Sequence, residues 1–263
     1  MDLNLKNKNV LVTASSTGIG RAIAELFLKE NCNVTICSSS LEKIKKTAEE
    51  INDIENGNVF HTKCDINNLA EIENTVKLAE DKFGPIDILV NNCGGPAPGF
   101  FNDLDEEKWQ TGFDQVLMSA VRFTKLVLPK MTENKWGRII NITSISVKQP
   151  IDNLLLSNAF RSAVTAFSKT LSNQVGEFNI TVNNVAPGLT HTGRLDELAE
   201  LRAKDAKITK EEMLTKMASD VPLKRIAKPE EIASSVIYLA SEIGGYITGQ
   251  TIVVDGGYNK STY

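Results

Sequence analysis

Residues 10–24, VLVTASSTGIGRAIA, constrain this chain more than any other stretch. Asn9 to Ala14 is a short apolar run suited to a buried parallel strand, and from Arg21 the apolar spacing becomes helical, through Ala22, Ile23, Leu26 and Phe27. Between them lies a tight turn of Thr, Ser and Gly. Side chains this small let backbone N–H groups and the N-terminus of the next helix face a diphosphate without Cβ atoms in the way. An ordinary strand-to-helix turn reads the same way locally. The other loops have to separate the two readings.

Further strand-like runs follow at Val34–Ser38, Asn58–Lys63, Ile86–Asn91, Gly137–Thr143, Ile180–Val185 and Thr251–Val254, with longer helical patterns between most of them. Apolar, non-alternating strands that alternate with helices mean a parallel sheet covered on both faces, joined by right-handed crossovers. The expected fold is α/β, a single domain over residues 1–263 built on a doubly wound, seven-stranded parallel sheet of Rossmann type. Its ligand crevice should lie at the strands' carboxyl ends, where strand order reverses. Loops after strands should then carry the chemistry. They read Ser38, Ser39 and Ser40 after the second, Asp65 after the third, Asn91-Asn92-Cys93-Gly94-Gly95 after the fourth, Thr143-Ser144 after the fifth and Pro187 to Thr192 after the sixth.

Composition removes several classes of function. Net charge is −4 and the lysines are interleaved with glutamates, so nucleic-acid and membrane partners are not expected. The first ten residues lack a signal pattern and no apolar run approaches a membrane span, which points to a cytoplasmic protein. Cys32, Cys37, Cys64 and Cys93 lack paired metal-site spacing and read as reduced thiols, and no metal is expected.

Two segments stand apart from the sheet. Asn153 to Val175 carries apolar residues on more than one helical face and should pack on the sheet and on another subunit. Gly193 to Arg225 is charged and amphipathic, with a capping box from Thr209 to Glu212, and reads as a helical flap over the crevice. Pro229 opens the last helix.

With these loops in place, the chain from Leu5 to Tyr258 resembles the short-chain dehydrogenase/reductase family, in particular its 3-oxoacyl-carrier-protein-reductase-like members. The resemblance rests on Thr13-Ala14-Ser15-Ser16-Thr17-Gly18-Ile19-Gly20, Asp65, Asn91-Asn92-Cys93-Gly94, Ser144, Pro187 to Thr192 and Asp255-Gly256-Gly257, in order and at family spacing. It implies that Thr13, Ser15, Ser16, Thr17, Gly18, Ile19 and Gly20 hold the cofactor diphosphate. Asp65 and Ile66 would meet the adenine, Asn91, Cys93 and Gly94 the adenosine side, and Pro187, Gly188, Thr190 and Thr192 the nicotinamide end. Ala14 stands where the family has the first glycine of the turn, a tuned turn if that position needs positive φ.

The catalytic positions depart further from the family. Thirteen residues after Ser144 the family places a Tyr and four later a Lys; here they are Ser157 and Arg161. Seven residues after Trp109 the family places an Asn; here it is Val116. Ser157 and Arg161 are one helical turn apart and project together. A Ser hydroxyl falls roughly 4 Å short of a Tyr phenol on summed bond lengths, so it would act through a water or a closer substrate. Arg161 keeps the positive charge for the cofactor ribose but stays protonated. Ser144, Lys148 and His191 are the remaining candidates for the acid, His191 for its pKa near neutrality.

The reading is an oxidoreductase that moves hydride between a nicotinamide and a carbonyl or secondary alcohol. Its rival is a cofactor-binding relative without turnover, acting as a sensor or supporting subunit. Ser38 stands where NAD enzymes place a carboxylate, and with Ser39 beside it and Lys43 or Arg21 nearby, NADP is favoured over NAD. The substrate is expected to be a small, partly apolar molecule. The apolar helix pair Phe113–Val127 and Asn153–Val175 points to a homotetramer.

Overall fold

The computed structural model describes residues 2–54 and 58–262. The chain opens with β1 (Asn9–Val12), α1 (Gly18–Lys29), β2 (Asn33–Ser38), α2 (Leu41–Ile51), β3 (Asn58–Lys63), α3 (Leu69–Phe83) and β4 (Ile88–Asn91). After it come α4 (Glu106–Gly112), a π-helical stretch at Phe113–Met118, α5 (Ser119–Asn134), β5 (Gly137–Ile142), α6 (Leu155–Val175) and β6 (Ile180–Pro187). The last elements are α7 (Gly193–Ala206), α8 (Lys210–Ser219), α9 (Pro229–Ala240) and β7 (Thr251–Val254). The seven strands form one parallel sheet in the order β3-β2-β1-β4-β5-β6-β7.

Alternate residues of each strand feed opposite layers. Val10, Val12, Ile88 and Val90 pack against Ile23 and Phe27 of α1 and Val236 of α9. Leu11, Leu89, Ile139 and Val182 pack instead against Ile72 of α3, Phe123 of α5 and Leu171 of α6. Both faces are therefore dry, which is why the strands read as continuous apolar runs. Strand order reverses between β1 and β4, and this puts the β1 and β4 loops side by side at the sheet's carboxyl edge.

Apolar patterning does not show everything inside these strands. Asn91, Asn141 and Asn184 lie in register across β4, β5 and β6. Asn91 Nδ2 donates to Asn141 Oδ1 at 2.8 Å, and Asn141 Nδ2 donates to Asn184 Oδ1 at 3.3 Å and to Ser168 Oγ at 2.9 Å. Such a buried amide ladder fixes register, because a slip would strand its polar groups without partners.

Several boundaries differ from the sequence reading: β4 begins at Ile88 rather than Ile86, β5 ends at Ile142 rather than Thr143, β6 runs on to Pro187 and α6 begins at Leu155 rather than Asn153. β1 stops at Val12 rather than Ala14, because Ala14 takes a left-handed φ of 46° and turns the chain out of the sheet. The helix expected at Phe113–Val127 is interrupted by the π-helical stretch, and Ser119, at the start of α5, donates through Oγ back to Gln115 O at 2.6 Å. An inserted residue of this kind does not disturb apolar spacing enough to show in the sequence. The segment expected as a flap is two helices, broken at Lys207 with φ of 56°, around a small core of Leu195, Ala199, Met213 and Met217.

The capping box at Thr209 and Glu212 and the proline start of α9 are present as read. All four cysteines are free, three of them buried, and burial pushes the Cys32 thiol up to about 12. Among the described residues no helix is long and apolar enough to cross a membrane.

Candidate active site

The turn after β1 is locked from three sides. Ser15, fully buried, donates through Oγ to Val12 O and accepts from the Cys37 N–H, which ties the turn to β2. Thr47 of α2 donates to Ser16 O at 2.9 Å. Asn92, from the loop after β4, donates through Nδ2 to Thr13 O and Ala14 O, and its N–H donates to Thr13 Oγ1 at 2.8 Å. Thr13, Ser15 and Asn91 are thus spent on building the loops. Asn92, absent from the expected contacts, joins the two loops at the switch point. The Asn91-Asn92 pair after β4 held that signal.

These ties allow a close approach that only glycine permits. A Cβ on Gly20 would lie 2.6 Å from Ala14 O and 2.7 Å from Asn92 Nδ2. Gly18, at φ of 57°, has Thr192 Cγ2 only 3.1 Å from where its Cβ would be, so the β6 loop meets the glycine turn directly. Thr192 also caps α7, accepting from the Leu195 N–H and donating to Thr190 O. Gly188 lets the same loop pass 2.6 Å, on an added Cβ, from Asp255 Cβ of the segment after β7.

Between these loops opens a cleft of about 520 Å³. Of the residues singled out in the sequence, Thr17, Gly18, Ile19, Gly20, Cys93, Gly94, Ser144, Ser157, Arg161, Pro187, Gly188, Thr190 and Thr192 line it. Asp65, Ile66, Ser38 and Ser39 stand at the carboxyl ends of β3 and β2, outside that lining. Ser16 is also outside it. His191 is exposed and does not line the cleft; its N–H donates to Ala227 O at 2.9 Å. Lys148 does not line it either.

Three residues of the expected catalytic set line this cleft together, Ser144, Ser157 and Arg161. Ser144 Oγ accepts from the Ser146 N–H at 3.1 Å, which leaves its own proton free to donate. Ser157, buried in α6, has no hydrogen-bond partner for its hydroxyl among the described residues. Arg161, also buried, donates from Nη1 to Ile142 O at 2.8 Å and Thr143 O at 3.1 Å, and from Nη2 to Gly94 O at 3.4 Å. Its guanidinium therefore clamps the ends of β4 and β5 and holds a fixed positive charge in the floor of the cleft. Val116 lies in the π-helical stretch beside it, facing a void of about 10 Å³ shared with Asn91, Ser119 and Arg161.

From the segment expected as a flap, Arg194 and Arg202 of α7 and Met217 of α8 line the cleft, and Tyr258 after β7 joins them. Arg194 Nη2 donates to Pro96 O at 2.8 Å across the cleft mouth. The opening pattern of charged residues in α7 signalled a helix but not which charges face inward.

A sheet of this order, with a glycine turn at its switch point, is a doubly wound, Rossmann-type architecture. A family profile described as enoyl-(acyl carrier protein) reductase matches residues 13–259. The 3-oxoacyl-[acyl-carrier-protein] reductase of Vibrio cholerae is 34% identical over 97% of this chain and 98% of its own. The NADPH-dependent reductase BacG of Bacillus subtilis is 32% identical over 98% and 100%. L-sorbose reductase from Gluconobacter frateurii, solved with NADPH and L-sorbose, superposes with a TM-score of 0.94 at 32% identity, covering 99% of this chain and 100% of that one. The chain belongs to the short-chain dehydrogenase/reductase family, whose members are NAD(P)-dependent oxidoreductases.

Proposed function

We propose that this protein is an NAD(P)-dependent oxidoreductase that exchanges hydride between the nicotinamide and a carbonyl or secondary-alcohol carbon, with Ser157 and Arg161 at the positions of the family's Tyr and Lys. The observation that carries this reading is the convergence of Ser144, Ser157 and Arg161 on the cleft that the glycine turn and the β6 loop also line. The cofactor supplies or accepts the hydride. Ser144 donates a hydrogen bond to the substrate oxygen, and Ser157, with a hydroxyl no protein group occupies, holds the water that relays the proton. Arg161 lends charge to the ribose and carbonyl region without exchanging a proton, because guanidinium stays protonated. His191, outside the cleft lining, would reach this oxygen only through solvent. Titration with NADH and NADPH, followed by nicotinamide fluorescence, is expected to saturate; binding of neither cofactor contradicts the reading.

NADP is the favoured cofactor. Ser38 and Ser39 put no carboxylate at the end of β2. Arg21 is held by Glu25 and Glu50, both of which raise its pKa, so it is committed elsewhere. Lys43 lines the cleft from the first turn of α2 with no ion pair among the described residues. A lysine facing the 2′-phosphate makes a charge-assisted hydrogen bond worth about 1.5–3 kcal/mol. Lys43→Ala is therefore expected to weaken NADPH at least about tenfold and to leave NADH within about twofold. A wild-type protein that binds NADH tenfold more tightly than NADPH reverses the assignment.

We further propose a homotetramer. Phe113, Leu117 and Val121 on one segment and Phe160 and Phe167 on α6 stay only half-buried in the single chain. Trp109 and Phe113 stack edge-on against Phe160, which makes that face continuous. Symmetric pairing of this face covers it. Light scattering should give a multiple of the 28.8 kDa chain mass, and a monomer at micromolar concentration contradicts the proposal.

A further inference from the structure

The charges lining the cleft do not balance. Lys43, Arg161, Arg194 and Arg202 face it, and the only carboxylate among the described lining residues is Glu197. Three of the four cations are already accounted for. Lys43 stands at the cofactor end, and Arg161 is clamped to backbone carbonyls. Arg194 is held by Pro96 O at 2.8 Å and by Glu197 at 3.4 Å.

Arg202 is the remainder. It is half-buried and makes no ion pair or hydrogen bond among the described residues. The nearby acids of α7 do not serve it. Asp196 and Glu200 both pair with Lys210, at 3.1 and 3.2 Å, Glu197 pairs with Arg194, and Asp205 is exposed at the helix end without an ion pair. An arginine brought into a cleft without its own counter-ion is arranged for an anion that arrives with a ligand.

Its place on the helix says which ligand. Arg194, Leu198 and Arg202 fall at i, i+4 and i+8 and so share one face of α7, the face that lines the cleft. Arg202 is therefore two turns, about 12 Å along the axis, further from the β6 loop than Arg194, which bonds Pro96 O of the loop after β4. Leu198 and Met217 of α8 line the cleft between them, and Glu197, the one carboxylate among the described lining residues, is paired with Arg194. The glycine turn meets α7 at its N-cap, Thr192, so a cofactor diphosphate at that turn would lie at the other end of the helix from Arg202.

We propose that Arg202 is an anion-binding subsite for the substrate, and that the substrate is an amphiphilic oxo or hydroxy compound whose carboxylate or phosphate is separated from its reacting carbon by an apolar stretch. This specificity rests on the oxidoreductase reading, but the subsite itself does not. An α-oxo acid is the wrong shape, because its carboxylate adjoins the reacting carbon and cannot reach the second turn beyond it. Leu198 and Met217 cover the apolar stretch.

The test is binding first and turnover second, on the full-length protein saturated with NADPH. Calorimetric titration with octanoate, octyl phosphate and 1-octanol is expected to show one of the two anions binding at least tenfold more tightly than the alcohol, and the tighter anion identifies the source of the charge. Arg202→Gln should remove that preference and leave the alcohol's affinity unchanged, and Arg202→Lys should restore part of it. An alcohol that binds as well as both anions, or anion binding indifferent to Arg202→Gln, overturns the subsite. For turnover, kcat/KM for 8-oxononanoate should exceed that for its methyl ester at least tenfold, with the gap closed by Arg202→Gln. Anion binding through Arg202 in a protein that reduces neither ketone overturns the oxidoreductase reading and keeps the subsite. Reduction of both ketones with no difference between them, and no effect of Arg202→Gln, overturns the subsite and keeps the oxidoreductase.

Discussion

Gly20→Ala is expected to weaken NADPH binding at least tenfold and to destabilise the fold by about 1–3 kcal/mol, the usual cost of forcing an extra methyl into a filled site. The new Cβ would sit 2.6 Å from Ala14 O, 2.7 Å from Asn92 Nδ2 and 2.9 Å from Ser15 Cα. Two of these neighbours are backbone, and the third is the side chain that joins the β1 and β4 loops. None is the free end of a flexible side chain. Relief of the clash must therefore move the turn that, on the proposed reading, holds the diphosphate. Gly176→Ala is the control, since a Cβ there meets nothing within 4 Å and its φ of −60° suits alanine. It should be neutral or stabilising by about 0.4–1 kcal/mol. Urea denaturation and fluorescence titration check both variants, and wild-type NADPH affinity in Gly20→Ala would contradict this view of the turn.

Ser144→Ala is expected to lower kcat/KM at least about 100-fold while leaving the NADPH dissociation constant within about twofold. Loss of one positioned donor to a developing oxyanion costs about 2.7–4 kcal/mol in comparable sites. The effect should be at the upper end of what one serine contributes elsewhere, because Ser157 is short of the oxygen and Arg161 is spent on carbonyls. Ser144 is then the only one of the three that meets the substrate oxygen directly. Its backbone is extended at φ −159° and ψ 154°, and its side chain caps the short 3-10 turn that follows. The change to alanine removes that cap as well, so the stability of the variant has to be measured alongside its rate.

Much of this was readable from residues because parallel strands buried on both faces leave an unmistakable pattern. All seven strands, the α9 start at Pro229 and the Thr209 capping box lie where spacing and chemistry put them. The reading also placed Ser144, Ser157 and Arg161 on one crevice, which the cleft contains. What it could not reach depends on three-dimensional closeness rather than on pattern. Asn92 is one of two adjacent asparagines, and only the fold shows that Asn91 enters the amide ladder while Asn92 crosses to Thr13 and Ala14. The left-handed φ of Ala14 is signalled only by its standing where relatives have a glycine, and not by the alanine itself. The π-helical stretch keeps its apolar residues at near-helical spacing. The hydrogen bonds of Arg161 to the ends of β4 and β5 depend on strands far away in sequence. The lack of a partner for Arg202 among the described residues takes its meaning from the ion pairs that Lys210 and Arg194 make with the neighbouring acids.

Turnover by the unmodified protein tests the central claim most directly. Purified protein with NADPH, offered ketones and 3-oxoacyl thioesters, and with NADP, offered secondary alcohols, is followed by nicotinamide absorbance. An active site that works with Ser157 and Arg161 should give slow, saturable oxidation or reduction of the nicotinamide with at least one of these compounds, and Ser144→Ala should suppress it. Saturable cofactor binding with no turnover across the whole panel, together with activity that appears only after the triple change Val116→Asn, Ser157→Tyr and Arg161→Lys, would contradict it and leave a cofactor-binding protein in its place.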